Sequence, residues 1–155
     1  MSPNLLSRVS CKLAAMRLGQ TTKYAFQTLA YLIRCHARDE WGNISDIAAH
    51  YSIPRKYLEQ VLLEMKNAGI LISKKGQHGG YKLARSPDEI TLGQVVASVQ
   101  GELMPIPLWL EEADSGLSTD SGLSEVIKQA NFAVQNIFDS TSIEVLVCKP
   151  ENWLG

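Results

Sequence analysis

The sequence predicts a mainly α-helical chain carrying one small β-hairpin. Two observations predict it. Apolar residues recur at spacings of three and four through several segments separated by short linkers, which is helical periodicity. Two short apolar runs, Ile70-Leu71-Ile72-Ser73 and Tyr81-Lys82-Leu83-Ala84, flank a glycine-rich loop, which is the pattern of a hairpin.

The elements follow in order. Residues 1–15 show no periodic stripe and no cap, so a flexible arm is expected before Met16. A first helix starts near Thr21 or Thr22, either of which can cap it. Ala25, Leu29, Leu32, Ile33 and His36 share its inward face. Asp39 to Asn43 is a loop turning at Gly42-Asn43. Ser45 is a good N-cap for a short second helix, with Asp46 in its first turn where the dipole favours an acid. That helix carries Ile47, Ala48 and Ala49 and ends near Tyr51. Ser52-Ile53 is a tight turn, and Pro54 suits a first helical position because its missing N–H would be unpaired there. Leu58, Val61, Leu62 and Met65 give the third helix a buried stripe. Gly69 stops it by taking a left-handed conformation. After the hairpin, Thr91 and Gln94 form a capping box for a fourth helix from Leu92 to Val99.

Residues 101–122 are irregular, acidic and marked by proline and glycine, and read as a long loop of the kind that usually carries function. Leu123, Val126, Ile127, Ala130, Val134, Ile137 and Phe138 then form the wide stripe of a long amphipathic helix. Ser140-Thr141-Ser142 ends it and caps a last short helix with Ile143, Leu146 and Val147. The expected partition is an arm (1–15), a helix-and-hairpin domain (16–100), a connecting or sensing loop (101–122), two terminal helices (123–148) and a tail (149–155).

Composition narrows the function classes. Of 155 residues, 45% are hydrophobic and 20% charged, the balance of a globular chain. No apolar run approaches the roughly 18 residues that span a bilayer. The first 20 residues, interrupted by Arg8, Lys12 and Arg17, lack the continuous apolar core of a secretory leader. Three cysteines, Cys11, Cys35 and Cys148, show no CxxC spacing, so a reducing cytoplasm is the expected compartment. Net charge is only −1, yet residues 1–86 carry 13 Lys/Arg against 5 Asp/Glu and residues 87–155 carry 2 against 11. The basic half reads as a polyanion-binding surface. The acidic half is repelled by phosphate and faces elsewhere.

Helix, short helix, tight turn, helix and hairpin make a winged helix-turn-helix. With its stripe buried, the third helix turns Arg55, Lys56, Tyr57, Glu59, Gln60 and Lys66 outward. Arg and Lys suit guanine, Gln suits adenine and Glu suits cytosine in a major groove. The first two turns are where a recognition helix presents such residues. The hairpin tip, Lys74-Lys75-Gly76-Gln77-His78-Gly79-Gly80, combines lysines for phosphate with glycines that let a backbone pass close. It matches no nucleotide-loop spacing and precedes a strand. Ser45 completes the expected contact set from the second helix.

The chain resembles the family of the bacterial regulators IscR, NsrR and CymR. The resemblance rests on Met16-Arg17-Leu18, Tyr24-Ala25, Ile47-Ala48, Ile53, Tyr57-Leu58-Glu59-Gln60, Lys66-Asn67-Ala68-Gly69, Gly76, Gly79-Gly80-Tyr81 and Leu92-Gly93-Gln94-Val95-Val96. It covers about residues 16–148. It implies a homodimeric transcription factor, in most members a repressor, bound to a palindromic operator on double-stranded DNA. It also implies dimerisation through the long helix at Leu123 to Phe138. Family DNA contacts carry over to Lys56, Glu59 and Gln60. Lys23 matches the basic residue opening the first helix, and Lys75 stands where the family has a wing arginine.

One departure is large. Many members hold an iron–sulfur cluster through three cysteines in the segment matching 101–122, and this segment contains none. Thiolates are the usual ligands, so the expected cofactor is none, unless Cys11, Cys35 and Cys148 assemble a cluster in an unusual geometry. Adjacent Cys35 and His36 point about 100° apart on a helix and do not chelate together. Cys11, the least constrained thiol, is the candidate for a redox switch. Apolar Leu103, Met104, Ile106, Leu108, Trp109 and Leu110 suit a small-molecule or protein effector, or plain packing. A winged-helix protein-interaction module is the alternative function. Three histidines and three cysteines in no catalytic pattern speak against an enzyme.

Overall fold

A computed structural model of the chain describes residues 18–101 and 122–148. Five helices are formed there: α1 (Gln20–His36), α2 (Ile44–Tyr51), α3 (Arg55–Asn67), α4 (Leu92–Val99) and α5 (Gly122–Ser140). Strands β1 (Leu71–Lys74) and β2 (Gly80–Leu83) make one antiparallel hairpin, in register Leu71 with Leu83 and Lys74 with Gly80. Short 3₁₀ turns lie at Pro87–Glu89 and Ile143–Leu146. The arm, most of the 101–122 loop, the tail and Cys11 lie outside the described residues.

The described residues fall into two compact units: 19–101 with 138–148, and 122–137 with Leu18. The first has one core. Ala25, Leu29, Leu32 and Ile33 of α1, Ile47 of α2, Ile53 of the turn, and Leu58, Val61, Leu62 and Met65 of α3 are buried together. Ile70, Leu71, Leu83, Ile90, Val95 and Ile143 complete it. The last segment is stitched to the entry of α4: Leu92 N–H donates to Thr141 O at 2.9 Å and Ile143 N–H to Ile90 O at 2.8 Å.

Several local expectations change. His36 is exposed and Cys35 is buried instead. The core ends at the last turn of α1, where an imidazole left in water avoids a desolvation cost. Helix α1 starts at Gln20 with Gly19 as N-cap, so neither Thr21 nor Thr22 caps it, and Thr22 is buried. Asn43, not Ser45, caps α2, its side chain accepting from Ser45 N–H at 2.7 Å. Pro54 is the N-cap of α3 rather than its first helical residue. Of the small residues of α2, Ala48 packs on the core and Ala49 is exposed. Both strands run one residue off the predicted ranges. The box of Thr91 with Gln94 forms as read from the sequence.

In α5, Ser124 and Ile127 are buried, while Leu123, Val126, Phe132 and Ile137 are exposed. At 100° per residue, Leu123, Val126 and Ile137 fall on one side and Ile127 at its edge, so the predicted stripe divides into a covered and an uncovered part. Phe132 points to the opposite side of the helix, where the sequence pattern placed no apolar residue.

Candidate nucleic-acid interface

The turn between α2 and α3 is set by a few residues. Ser52 takes a left-handed conformation (φ 53°), and Ile53 N–H donates to Ala48 O at 3.0 Å. Ile53, 3% exposed, plugs the turn from inside. Pro54 fixes the entry of α3 at φ −58°. Leu58, Val61, Leu62 and Met65 then anchor one face, and rotation about the helix puts Arg55, Lys56, Tyr57, Glu59, Gln60 and Lys66 in solvent.

These outward groups are organised before any ligand arrives. Arg55 Nε donates to Glu59 Oε1 at 2.9 Å, and its Nη1 reaches Ser45 Oγ on α2 at 3.3 Å. Gln60 Nε2 donates to Glu64 Oε1 at 3.1 Å. Ser45 therefore bridges the two helices through Arg55. Tyr57, 59% exposed, presents an aromatic ring beside them.

The hairpin tip exposes Lys74, Lys75, Gln77 and His78. Its base is tied to the α1–α2 loop by a pair of backbone hydrogen bonds between Gly42 and Tyr81, each 2.9 Å. Trp41 lies below two lysines of the hairpin, with Lys82 Nζ 5.1 Å and Lys74 Nζ 5.9 Å from its ring centroid, cation–π distances. Lys82 Nζ also donates to Asp39 Oδ1 at 2.7 Å and Asp39 O at 2.9 Å. That bond holds the Asp39 carboxyl below its ordinary value. The sequence reading missed Asp39, Trp41 and Lys82, because they meet through tertiary contacts and no local motif announces them. Lys23 is exposed in the first turn of α1.

Fold and exposed groups together define a DNA-binding winged-helix regulator. The comparisons agree. A family model described as Rrf2, iron-dependent transcriptional regulator, matches residues 18–149. The chain belongs to the Rrf2 family of transcriptional regulators. It is 30% identical over 140 residues to slr0846 of Synechocystis sp., whose name assigns it provisionally to the HTH-type transcriptional regulators; 89% of this chain and 92% of that protein are covered. It is 27% identical over 131 residues to the HTH-type transcriptional regulator CymR of Bacillus subtilis, covering 84% and 89%. The solved structure of CymR (YrzC), the global cysteine regulator of B. subtilis, superposes with a TM-score of 0.70 at 25% identity, covering 84% of this chain and 95% of that one.

The family description implies iron, and the three-cysteine cluster of many members does not fit the residues of the 101–122 segment. The sequence has no cysteine between 101 and 122. Among the described residues, no three of His, Cys, Asp and Glu converge as metal ligands. Cys35 is buried and Cys148 exposed, each a free thiol. Burial raises the Cys35 thiol above its ordinary value, against a weaker opposing pull from Arg38. Nor is any described helix long and apolar enough to cross a membrane.

Proposed function

We propose that this chain is a cytoplasmic, homodimeric repressor that reads a palindromic operator and takes up its signal without the family's cysteine-ligated cluster. The observation that carries the reading is the first two turns of α3. Arg55, Lys56, Tyr57, Glu59 and Gln60 stand exposed on a helix whose opposite face is locked into the core. Ser45, Lys23 and the tip residues Lys74, Lys75, Gln77 and His78 extend that surface. In this reading, Leu123, Val126 and Ile137 form the dimer seam with Ala130 and Val134, and Ile127 and Phe138 flank it. The 101–122 segment takes up a small-molecule or protein effector, with Cys11 as the thiol if the signal is oxidative.

A dimer places two α3 helices about 34 Å apart, one turn of duplex. The test is selection of duplexes from a random pool, then titration against salt. Lys56→Ala relaxes sequence preference, and Lys75→Ala, lost from both protomers, lowers the salt slope by about two. Binding that is insensitive to sequence, or unchanged in both variants, overturns the proposal.

A further inference from the structure

The N-terminus of α1 is closed by a residue from the far side of the sequence. Gly19, the N-cap, has no side chain to offer, so the first N–H groups need an acceptor from elsewhere. Gln100 supplies it. Its Oε1 accepts from Gly19 N–H at 3.1 Å and from the Thr22 hydroxyl at 2.7 Å. Thr22 is 0% exposed, and a buried hydroxyl left without a partner is costly. Gln100 directly follows α4 and is steadied by its own N–H bond to Val96 O at 2.9 Å. Helix α4 is held at its other end by the bond from Leu92 N–H to Thr141 O.

Lys23 is the next residue after Thr22, and its N–H closes the first helical turn on Gly19 O at 3.1 Å. We infer that Gln100 is a positioning residue for DNA binding: its side-chain oxygen fixes the first turn of α1 so that Lys23 meets phosphate without first having to be ordered. A frayed turn makes DNA bear that ordering cost. The inference rests on the DNA-binding reading above, and specifically on Lys23 as a phosphate contact.

The test uses the full chain and a duplex it selects from a random pool; failure to select any duplex defeats the underlying reading itself. Wild type, Lys23→Ala, Gln100→Ala and the double variant are then titrated against salt. Lys23→Ala, which removes one phosphate contact from each protomer of the proposed dimer, lowers the salt slope by about two. Gln100→Ala weakens binding roughly threefold to tenfold, the size of a lost cap, and adding it to Lys23→Ala brings no further loss. Gln100→Glu keeps an acceptor in place, so Lys23→Ala again lowers the slope by about two in that background. If Gln100→Ala does not fold, Thr22→Val replaces it, with the same expected coupling. Wild-type binding by Gln100→Ala, full additivity with Lys23→Ala, or a Gln100→Glu protein in which Lys23 no longer matters overturns the inference.

Discussion

Gly80→Ala separates the placement of the hairpin from its charge. Gly80 has φ +151°, and an added Cβ would press into the Gly42 carbonyl oxygen. That oxygen accepts the Tyr81 N–H, and Gly42 N–H donates back to Tyr81 O, both at 2.9 Å. Forcing an alanine into this backbone conformation costs of order 1–3 kcal/mol. Two displaced backbone bonds add about 1 kcal/mol each. Local opening of the hairpin relieves part of this, so the expected loss is about 2–4 kcal/mol, read as a fall in the unfolding free energy by urea titration at 25 °C. Gly76→Ala is the control. Gly76 has φ +110°, but its Cβ would meet nothing within 4 Å, so only conformational strain of about 1 kcal/mol remains. Gly80→Ala also weakens duplex binding under conditions where both variants are fully folded, because the tip lysines lose their anchored base. Equal stability losses in the two variants, or wild-type DNA affinity in Gly80→Ala, would refute the reasoning.

Two further outcomes follow from titratable groups. Cys35 is 3% exposed and its thiol is raised by burial, so a Cys11→Ser, Cys148→Ser variant reacts with a disulfide reagent at pH 8 roughly tenfold or more slowly than one retaining only exposed Cys148; equal rates would count against a packed thiol. The Asp39 carboxyl is depressed by its hydrogen bond from Lys82, so its stabilising effect is complete above its ordinary value of 3.8 and is lost as pH falls through the lower folded value. Carbon-13 titration shows a midpoint below 3.8 that returns toward 3.8 in Lys82→Met, and an identical midpoint in the two proteins would sink this.

Helices α3 and α4 were legible because their signals are local. A stripe at i, i+3, i+4 and i+7 fixes which side of α3 is buried, and therefore which residues face outward. Thr91 and Gln94 form a box within one turn. The misreadings share a cause. His36 fits the inward period of α1, but the period does not say where the core stops. Thr21, Thr22 and Ser45 are capping types, yet the side chains that accept from these two ends are those of Gln100 and Asn43. The first is remote in sequence, and the second lies one residue before the helix. Trp41 was hidden for the same reason: nothing in residues 39–43 indicates that Lys74 and Lys82 will come to lie over its ring. The α5 stripe mixed a covered residue, Ile127, with uncovered ones, because periodicity marks an apolar face without saying how much of it the chain itself covers.

If Arg55 and Glu59 read base edges as proposed, the internal bonds of α3 bear on where sequence discrimination comes from. Arg55 and Glu59 are 61% and 54% exposed as side chains, and an exposed pair of this kind is worth about 0–1 kcal/mol. Transfer of the Arg55 guanidinium to a guanine edge offers a bidentate contact worth about 1–3 kcal/mol of discrimination. The exchange is favourable at a matching base. At a mismatched base the guanidinium stays with Glu59 and Ser45, and the groove edge is left without its donor. Glu59 thus offers Arg55 a competing partner, while its second carboxylate oxygen stays available to a cytosine amino group. Coupling between these two positions, rather than the number of cations on the helix, is what would make a wrong sequence costly.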